Sequence, residues 1–218
     1  MLRPHFEILS PAQRALWPEL AEIPRHFVLY GGSALALRLG HRQSEDFDFF
    51  SSEDITPSQL LGTLGLLKGV KVIQNVSRTL TVIVNRVGPV KLSFFAKLDL
   101  GRVGTPDPTE DGVANVASLL DIAGTKAAVV CQRAERKDYI DILAIVNQGI
   151  SVDQAMAAAR SIYGDQYNPI LTRKALGYFG DGDLSKLSAD QKNHLIQITS
   201  NSLLTLPNIP RMADRISP

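Results

Sequence analysis

Gly31-Gly32-Ser33-Ala34-Leu35-Ala36-Leu37-Arg38-Leu39-Gly40-His41-Arg42-Gln43-Ser44-Glu45-Asp46-Phe47-Asp48-Phe49-Phe50 is the stretch whose reading decides the fold. Just before it, His26 to Tyr30 has the composition of a short strand. Gly31-Gly32 breaks that strand, Ser33 is a good N-cap for the apolar run after it, and Gly40 closes the helix. Asp46 to Phe50 alternates and reads as a second strand, so Asp46 and Asp48 project from one face while Phe47 and Phe49 face a core. At roughly 3.3 Å rise per residue, the two acidic Cα atoms lie about 6–7 Å apart. Carboxylates so placed can converge on a hard cation such as magnesium, which keeps water and substrate phosphates as its other ligands. The same alternation also describes a half-buried strand with a hydrated polar face. The glycine turn has two readings as well. It is good turn chemistry, and it is an anion cradle, because a helix start offers unpaired N–H groups and glycine lets a phosphate come close.

Outward from this unit, Ser51 to Pro57 is turn-like and opens a helix through Leu66 or Leu67. Three runs of β composition follow, Lys71 to Val76, Thr79 to Asn85 and Val90 to Phe95, and their short connections predict antiparallel hairpins. Upstream, Pro11 suits a first helical position, with Leu16, Leu20 and Ile23 at helical spacing. Gly101 to Gly112 has the composition of a linker or long loop. Beyond it, Ser118 to Gln132, Lys137 to Asn147, Val152 to Tyr163, Pro169 to Phe179 and Ala189 to Ser200 read as helices, with Gly149 a stop and Ser151 an N-cap. The tail from Pro207 reads as extended. The expected fold is α+β: a mixed, mostly antiparallel sheet with flanking helices over residues 1–110, then a helical C-terminal region over 111–218.

With 218 residues, 44% hydrophobic and 21% charged, the composition is that of a folding, globular chain. A formal net charge of +1 gives no whole-molecule field to draw nucleic acid or a membrane. The lone Cys131 allows no internal disulfide, which fits a reducing cytoplasm. Charges and prolines in the first 14 residues argue against a signal peptide, and no apolar run is long enough to span a bilayer.

The glycine-to-carboxylate run quoted above closely resembles the signature of the AbiEii/AbiGii-type nucleotidyltransferases, the toxins of a class of toxin–antitoxin and abortive-infection systems. A second stretch, Asp121 to Asp141, with Lys126, Arg133 and Arg136-Lys137-Asp138-Tyr139-Ile140-Asp141, resembles that family's downstream helical motif. The resemblance implies a nucleotidyltransferase-like sheet followed by helices. It makes Asp46 and Asp48 ligands of magnesium, and Gly31, Gly32 and Ser33 the phosphate-binding turn. Lys126 becomes a nucleotide contact and Asp138 a catalytic carboxylate. Arg42 and Ser44 also fall on motif positions, where they contact phosphate or brace the turn.

Read from the residues alone, Lys126 in a small and apolar helix either snorkels to solvent or is aimed at something anionic. Asp138 and Asp141 share a helix face, where they would also favour the helix dipole. Such transferases usually carry a third carboxylate on a later strand, and here Ser93 stands where it would be sought. A serine is no comparable base at neutral pH, so the role passes to Asp138 or Asp141, or transfer is lost. The four histidines have no zinc-like spacing. Asp181-Gly182-Asp183 reads as a turn and helix cap. Arg133, Arg136 and Lys137 form a small basic cluster that suits a solvated helix end or an RNA backbone.

The expected activity is therefore magnesium-dependent transfer of a nucleoside monophosphate from a nucleoside triphosphate to an acceptor hydroxyl. Transfer RNA, another RNA or a protein is the acceptor, and an antitoxin protein is the partner. A catalytically degenerate nucleotide- or partner-binding module of the same fold is the alternative, with a metal-dependent phosphohydrolase ranked last.

Overall fold

A computed structural model describes residues 1–200 and 205–218. The chain forms two compact units, one from Met1–Leu100, Thr105–Ser118 and Asp214–Pro218, the other from Gly101–Gly104 and Leu119–Ala213.

The first unit carries the sheet. Ser10 opens α1 (Pro11–Leu16) through a reciprocal capping box with Gln13. The expected helix does not run on to Ile23. Pro18 has no N–H for the α ladder, and the chain tightens into a 3-10 segment over Trp17–Glu22. Strand β1 (Val28–Tyr30) leads into α2 (Gly31–Leu39), which Gly40 ends in the left-handed conformation at φ 63°. Ser33 is not the N-cap. Gly31, at φ 73°, turns the chain at once, so the helix starts three residues early, with Tyr30 as N-cap and no capping side chain. Then follow β2 (Asp46–Phe50), α3 (Pro57–Thr63) with a capping box between Thr56 and Gln59, and the strands β3 (Lys71–Val76), β4 (Thr79–Asn85) and β5 (Pro89–Phe95). The segment expected as loop adds β6 (Asp107–Pro108), which pairs with β7 (Asn115–Val116). Two-residue strands made mainly by long-range pairing leave no periodicity to read.

The seven strands are ordered β3-β4-β5-β2-β1-β7-β6. Among the named strands β2–β5 and β1–β7 pair in parallel and the other pairs are antiparallel, β3–β4 and β4–β5 as the hairpin spacing predicted. Register divides the faces. Phe47, Phe49, Leu80, Val82, Val84, Leu92 and Phe94 are buried together on the core side. On the other face, Asp48, Ser93, Thr81 and Gln74 stand in one row and Asp46, Lys91, Ile83 and Lys71 in the next. The end of the chain belongs to this unit too. Ile216 is buried, and the Ser217 hydroxyl donates to the His26 carbonyl and accepts from the Ser52 N–H, so the tail is docked at its tip.

The second unit is helical, with α4 (Leu119–Val129), α5 (Arg136–Asn147), α6 (Val152–Tyr163), α7 (Pro169–Leu176) and α8 (Ala189–Ser200). Ser151 caps α6 as expected, through a capping box with Gln154. Cys131 falls just past the end of α4 and is a free, half-buried thiol. Asp183 does cap a helix, but at a distance in sequence: its Oδ1 accepts from the Arg136 N–H at the start of α5, at 2.6 Å. Asp121 ties the crossing segment to α4 by accepting from the N–H groups of Val103 and Gly104 at 2.7 and 3.0 Å. No helix among the described residues is long and apolar enough to cross a membrane.

Helices α4 and α6 meet through small side chains, with Ala123, Ala127, Ala158 and Ala159 all buried. Gly124 sets the approach, because a Cβ there would stand 2.9 Å from the Ala159 nitrogen and 3.0 Å from the Ala158 carbonyl carbon. Backbone cannot yield as a side chain can, so Gly124→Ala should cost about 1–3 kcal/mol despite alanine's better helix propensity. Urea unfolding followed by circular dichroism checks this. Unchanged stability would mean the two helices are not so close.

Candidate functional site

The sheet unit gathers most of the residues singled out from sequence around the end of β1. Asp48 is paired with Tyr30, the last residue of β1, so Asp46 lies beyond that strand's end, beside the start of α2. Phe47 and Phe49 are buried in the core, which obliges the two aspartates between and before them to face the other way. The Asp46 side chain is 36% exposed.

Each glycine of the turn makes room for something specific. A Cβ on Gly31 would stand 2.7 Å from Asp48 Oδ2, and one on Gly32 would stand 2.7 Å from the Arg42 guanidinium and 2.9 Å from the Ser44 hydroxyl. The turn therefore abuts a carboxylate on one side and a cation with a hydroxyl on the other. Gln13, itself buried, holds the Ser44 carbonyl at 2.7 Å, and Arg42 donates to the Gln43 carbonyl at 2.8 Å. Helix α2 begins here with no capping side chain, so its leading N–H groups are an electropositive edge.

Ser33 behaves differently from the rest. It is buried, and its hydroxyl donates to the Asp46 carbonyl. A hydroxyl has one proton to give, so the Ser33 side chain braces β2 against α2, and only its main chain remains to meet an anion. Ser93 sits directly opposite Asp48 on the neighbouring parallel strand, and the Thr81 hydroxyl lies 3.5 Å from its oxygen. The row that begins at Asp48 thus continues with neutral hydroxyls. Among the described residues no cluster of three or more His, Cys, Asp or Glu side chains could hold a metal. The donor set is a carboxylate pair, which still suits a hard cation with a largely hydrated shell.

Sequence reading missed one partner. The Lys91 ammonium lies 2.5 Å from Asp46 Oδ2. Only the parallel register that sets Lys91 beside Asp46 brings these residues together, and that register is not written in either local pattern.

The helical unit holds a separate charged cluster. Lys126 does not snorkel; its side chain is 5% exposed, and its ammonium lies 2.8 Å from Asp138 Oδ1 and 2.6 Å from Asp141 Oδ2, both fully buried. Arg133 adds a second cation, 2.8 Å from Asp138 Oδ2. Asp138 and Asp141 thus serve a charge network more than the helix dipole. Of the other basic residues, Lys137 pairs with Glu135 at 2.9 Å. Burial pushes the Asp138 carboxyl up, but the Arg133 hydrogen bond and the charge and hydrogen bond of Lys126 outweigh it and hold the group below its ordinary value.

A depressed carboxylate stabilises the fold above its unfolded pKa, and that stability is lost as pH falls through the folded value. Lys126→Met leaves two buried aspartates short of a cation and should cost about 3–5 kcal/mol at pH 7. The variant should also lose less stability on acidification than the parent, so the two converge at low pH. Denaturant titrations from pH 7 downward test this; parallel curves would count against the network.

Among known proteins, the sequence pattern of the family described as nucleotidyl transferase AbiEii toxin, type IV TA system, matches residues 15–204. The chain is 31% identical over 118 residues to an uncharacterized protein of Aquifex aeolicus (strain VF5), a match covering 53% of this chain and 55% of that protein. It spans about half the length of the curated relative it matches. In structure it is similar to a candidate nucleotidyltransferase from H. pylori, with a TM-score of 0.51 at 16% identity over 86% of this chain and 90% of the other. An antigenic nucleotidyltransferase-like protein from Paracoccidioides brasiliensis gives a TM-score of 0.49 at 17% identity over 93% and 96%. The H. pylori likeness speaks to the fold, which is nucleotidyltransferase-like. The family pattern covers both the turn-and-carboxylate unit and the buried lysine cluster, and the chain belongs to the AbiEii nucleotidyl transferase toxin family.

Proposed function

We propose that the protein is a nucleotidyltransferase that moves a nucleoside monophosphate from a nucleoside triphosphate to an acceptor hydroxyl, with Asp46 and Asp48 as the ligands of a magnesium ion. The observation that carries this reading is the closeness of Asp48 to the glycine turn, where a Gly31 Cβ would fall 2.7 Å from Oδ2. A carboxylate pair and an anion-attracting helix start side by side suit a polyphosphate and its cation together.

When bound, such an ion would neutralise phosphate charge and help to orient the reacting phosphorus. The chain's own groups do the rest. The main chain of Gly31, Gly32 and Ser33 and the side chains of Arg42 and Ser44 hold phosphate oxygens. Lys126 has three N–H donors, two of them directed at Asp138 and Asp141, and the remaining one suits a phosphate or other anionic group of a nucleotide. The acceptor oxygen forms a bond to the α-phosphorus as the bond to the bridging oxygen breaks, pyrophosphate leaves, and the hydroxyl's proton passes to solvent water. Asp138, with its low proton affinity, suits orienting Lys126 better than taking the acceptor's proton. An RNA end, that of transfer RNA included, is the proposed acceptor, an antitoxin protein the proposed partner and the cytoplasm the proposed compartment.

Ser93 opposite Asp48 favours a second reading, a module that binds nucleotide without transferring it. Purified protein incubated with magnesium, each α-labelled triphosphate in turn and total RNA separates the two. Transfer should give labelled RNA, reduced at least about a hundredfold by Asp48→Asn, the scale on which losing one electrostatic contact at a reacting centre acts. Triphosphate binding with no labelled acceptor would support the second reading, and an unchanged signal in Asp48→Asn would remove the proposed site.

A further inference from the structure

Lys91 faces Asp46 across the parallel β2–β5 pair, with its ammonium 2.5 Å from Oδ2. On an ordinary sheet surface such a pair matters little, since both side chains keep a third or more of their exposure, 40% for Lys91 and 36% for Asp46. Its position makes it consequential. It stands on one of the two carboxylates proposed to hold the cation, and its strand neighbour two residues on is Ser93, the neutral residue opposite Asp48.

We propose that Lys91 is a tethered counter-ion that competes with the divalent cation for Asp46. The site then takes one ion, weakly by itself and more tightly when a triphosphate offers the ammonium another anion. The proposal rests on the reading of Asp46 and Asp48 as metal ligands. A divalent ion brought to Asp46 must either displace the ammonium or sit beside its charge, and both oppose binding. A polyphosphate relieves that opposition, and because linkage is reciprocal the ion must then favour the polyphosphate equally. Lys91 acts through Asp46 and is a positioning residue. Its purpose would be to keep the site from loading with metal before nucleotide arrives.

Manganese serves as the probe, titrated by electron paramagnetic resonance or calorimetry against the full chain, with and without a non-hydrolysable nucleoside triphosphate. The parent should bind one manganese ion. Lys91→Met should bind it about fivefold or more tightly without nucleotide, the upper range for releasing an exposed ion pair, and should gain less when the triphosphate is added. Lys91→Arg should restore the parent's behaviour. Circular dichroism establishes that each variant is folded. Equal affinities in the parent and Lys91→Met, with binding lost in Asp48→Asn, would overturn the role of Lys91 and leave the metal site standing. No manganese bound by the parent, Lys91→Met or Lys91→Arg, with or without triphosphate, would overturn both.

Discussion

The site in the sheet unit depends on the alternation of one five-residue strand. Phe47 and Phe49 bury their rings in the core, with Phe49 stacked on Phe94 at 5.6 Å between centroids and Phe47 against Trp17 at 5.9 Å. A one-residue slip would send both rings into water and both carboxylates into the core, a double penalty that pins the register. Pairing on both edges, antiparallel to β1 and parallel to β5, holds the strand in place. The aspartates are thus positioned by the burial of their neighbours, and Gly31 supplies the other half of the site by letting the chain turn against Asp48 with no side chain between.

Charge is handled in opposite ways in the two units. In the helical unit, Lys126, Arg133, Asp138 and Asp141 form a network whose aspartates are fully buried, and removing the buried Lys126 is costly because it leaves those aspartates short of a cation. In the sheet unit, Asp46 and Lys91 keep contact with solvent, so their pairing is cheap to break and open to exchange. The first arrangement suits a fixed electrostatic element. The second suits a site whose ionic partners come and go.

Much of this was legible in the sequence because the governing signals are local. The alternation in Asp46 to Phe50, the turn chemistry of Gly31-Gly32 and the capping serine at α6 each act within a few residues, and the strands β2, β3 and β4 fell where local composition put them. What escaped depends on long-range register. Ser33 looks like an N-cap until Gly31 is seen at φ 73°, and its hydroxyl then proves to be committed to Asp46. The Lys91–Asp46 pair requires knowing that β5 lies parallel to β2, and β6 and β7 are too short to show a period. Lys126 had two equal readings, since sequence shows an odd lysine in an apolar helix but not the aspartates from the next helix that meet it.

The most direct test of the account is anomalous diffraction from crystals grown with manganese and a non-hydrolysable nucleoside triphosphate. The account requires one strong manganese peak at about 2.0–2.3 Å from carboxylate oxygens of both Asp46 and Asp48, the range for such a cation bound by oxygen. The phosphates should lie against the Gly31-Gly32 turn. Manganese or triphosphate bound elsewhere, with Asp46 still held by Lys91, would contradict it.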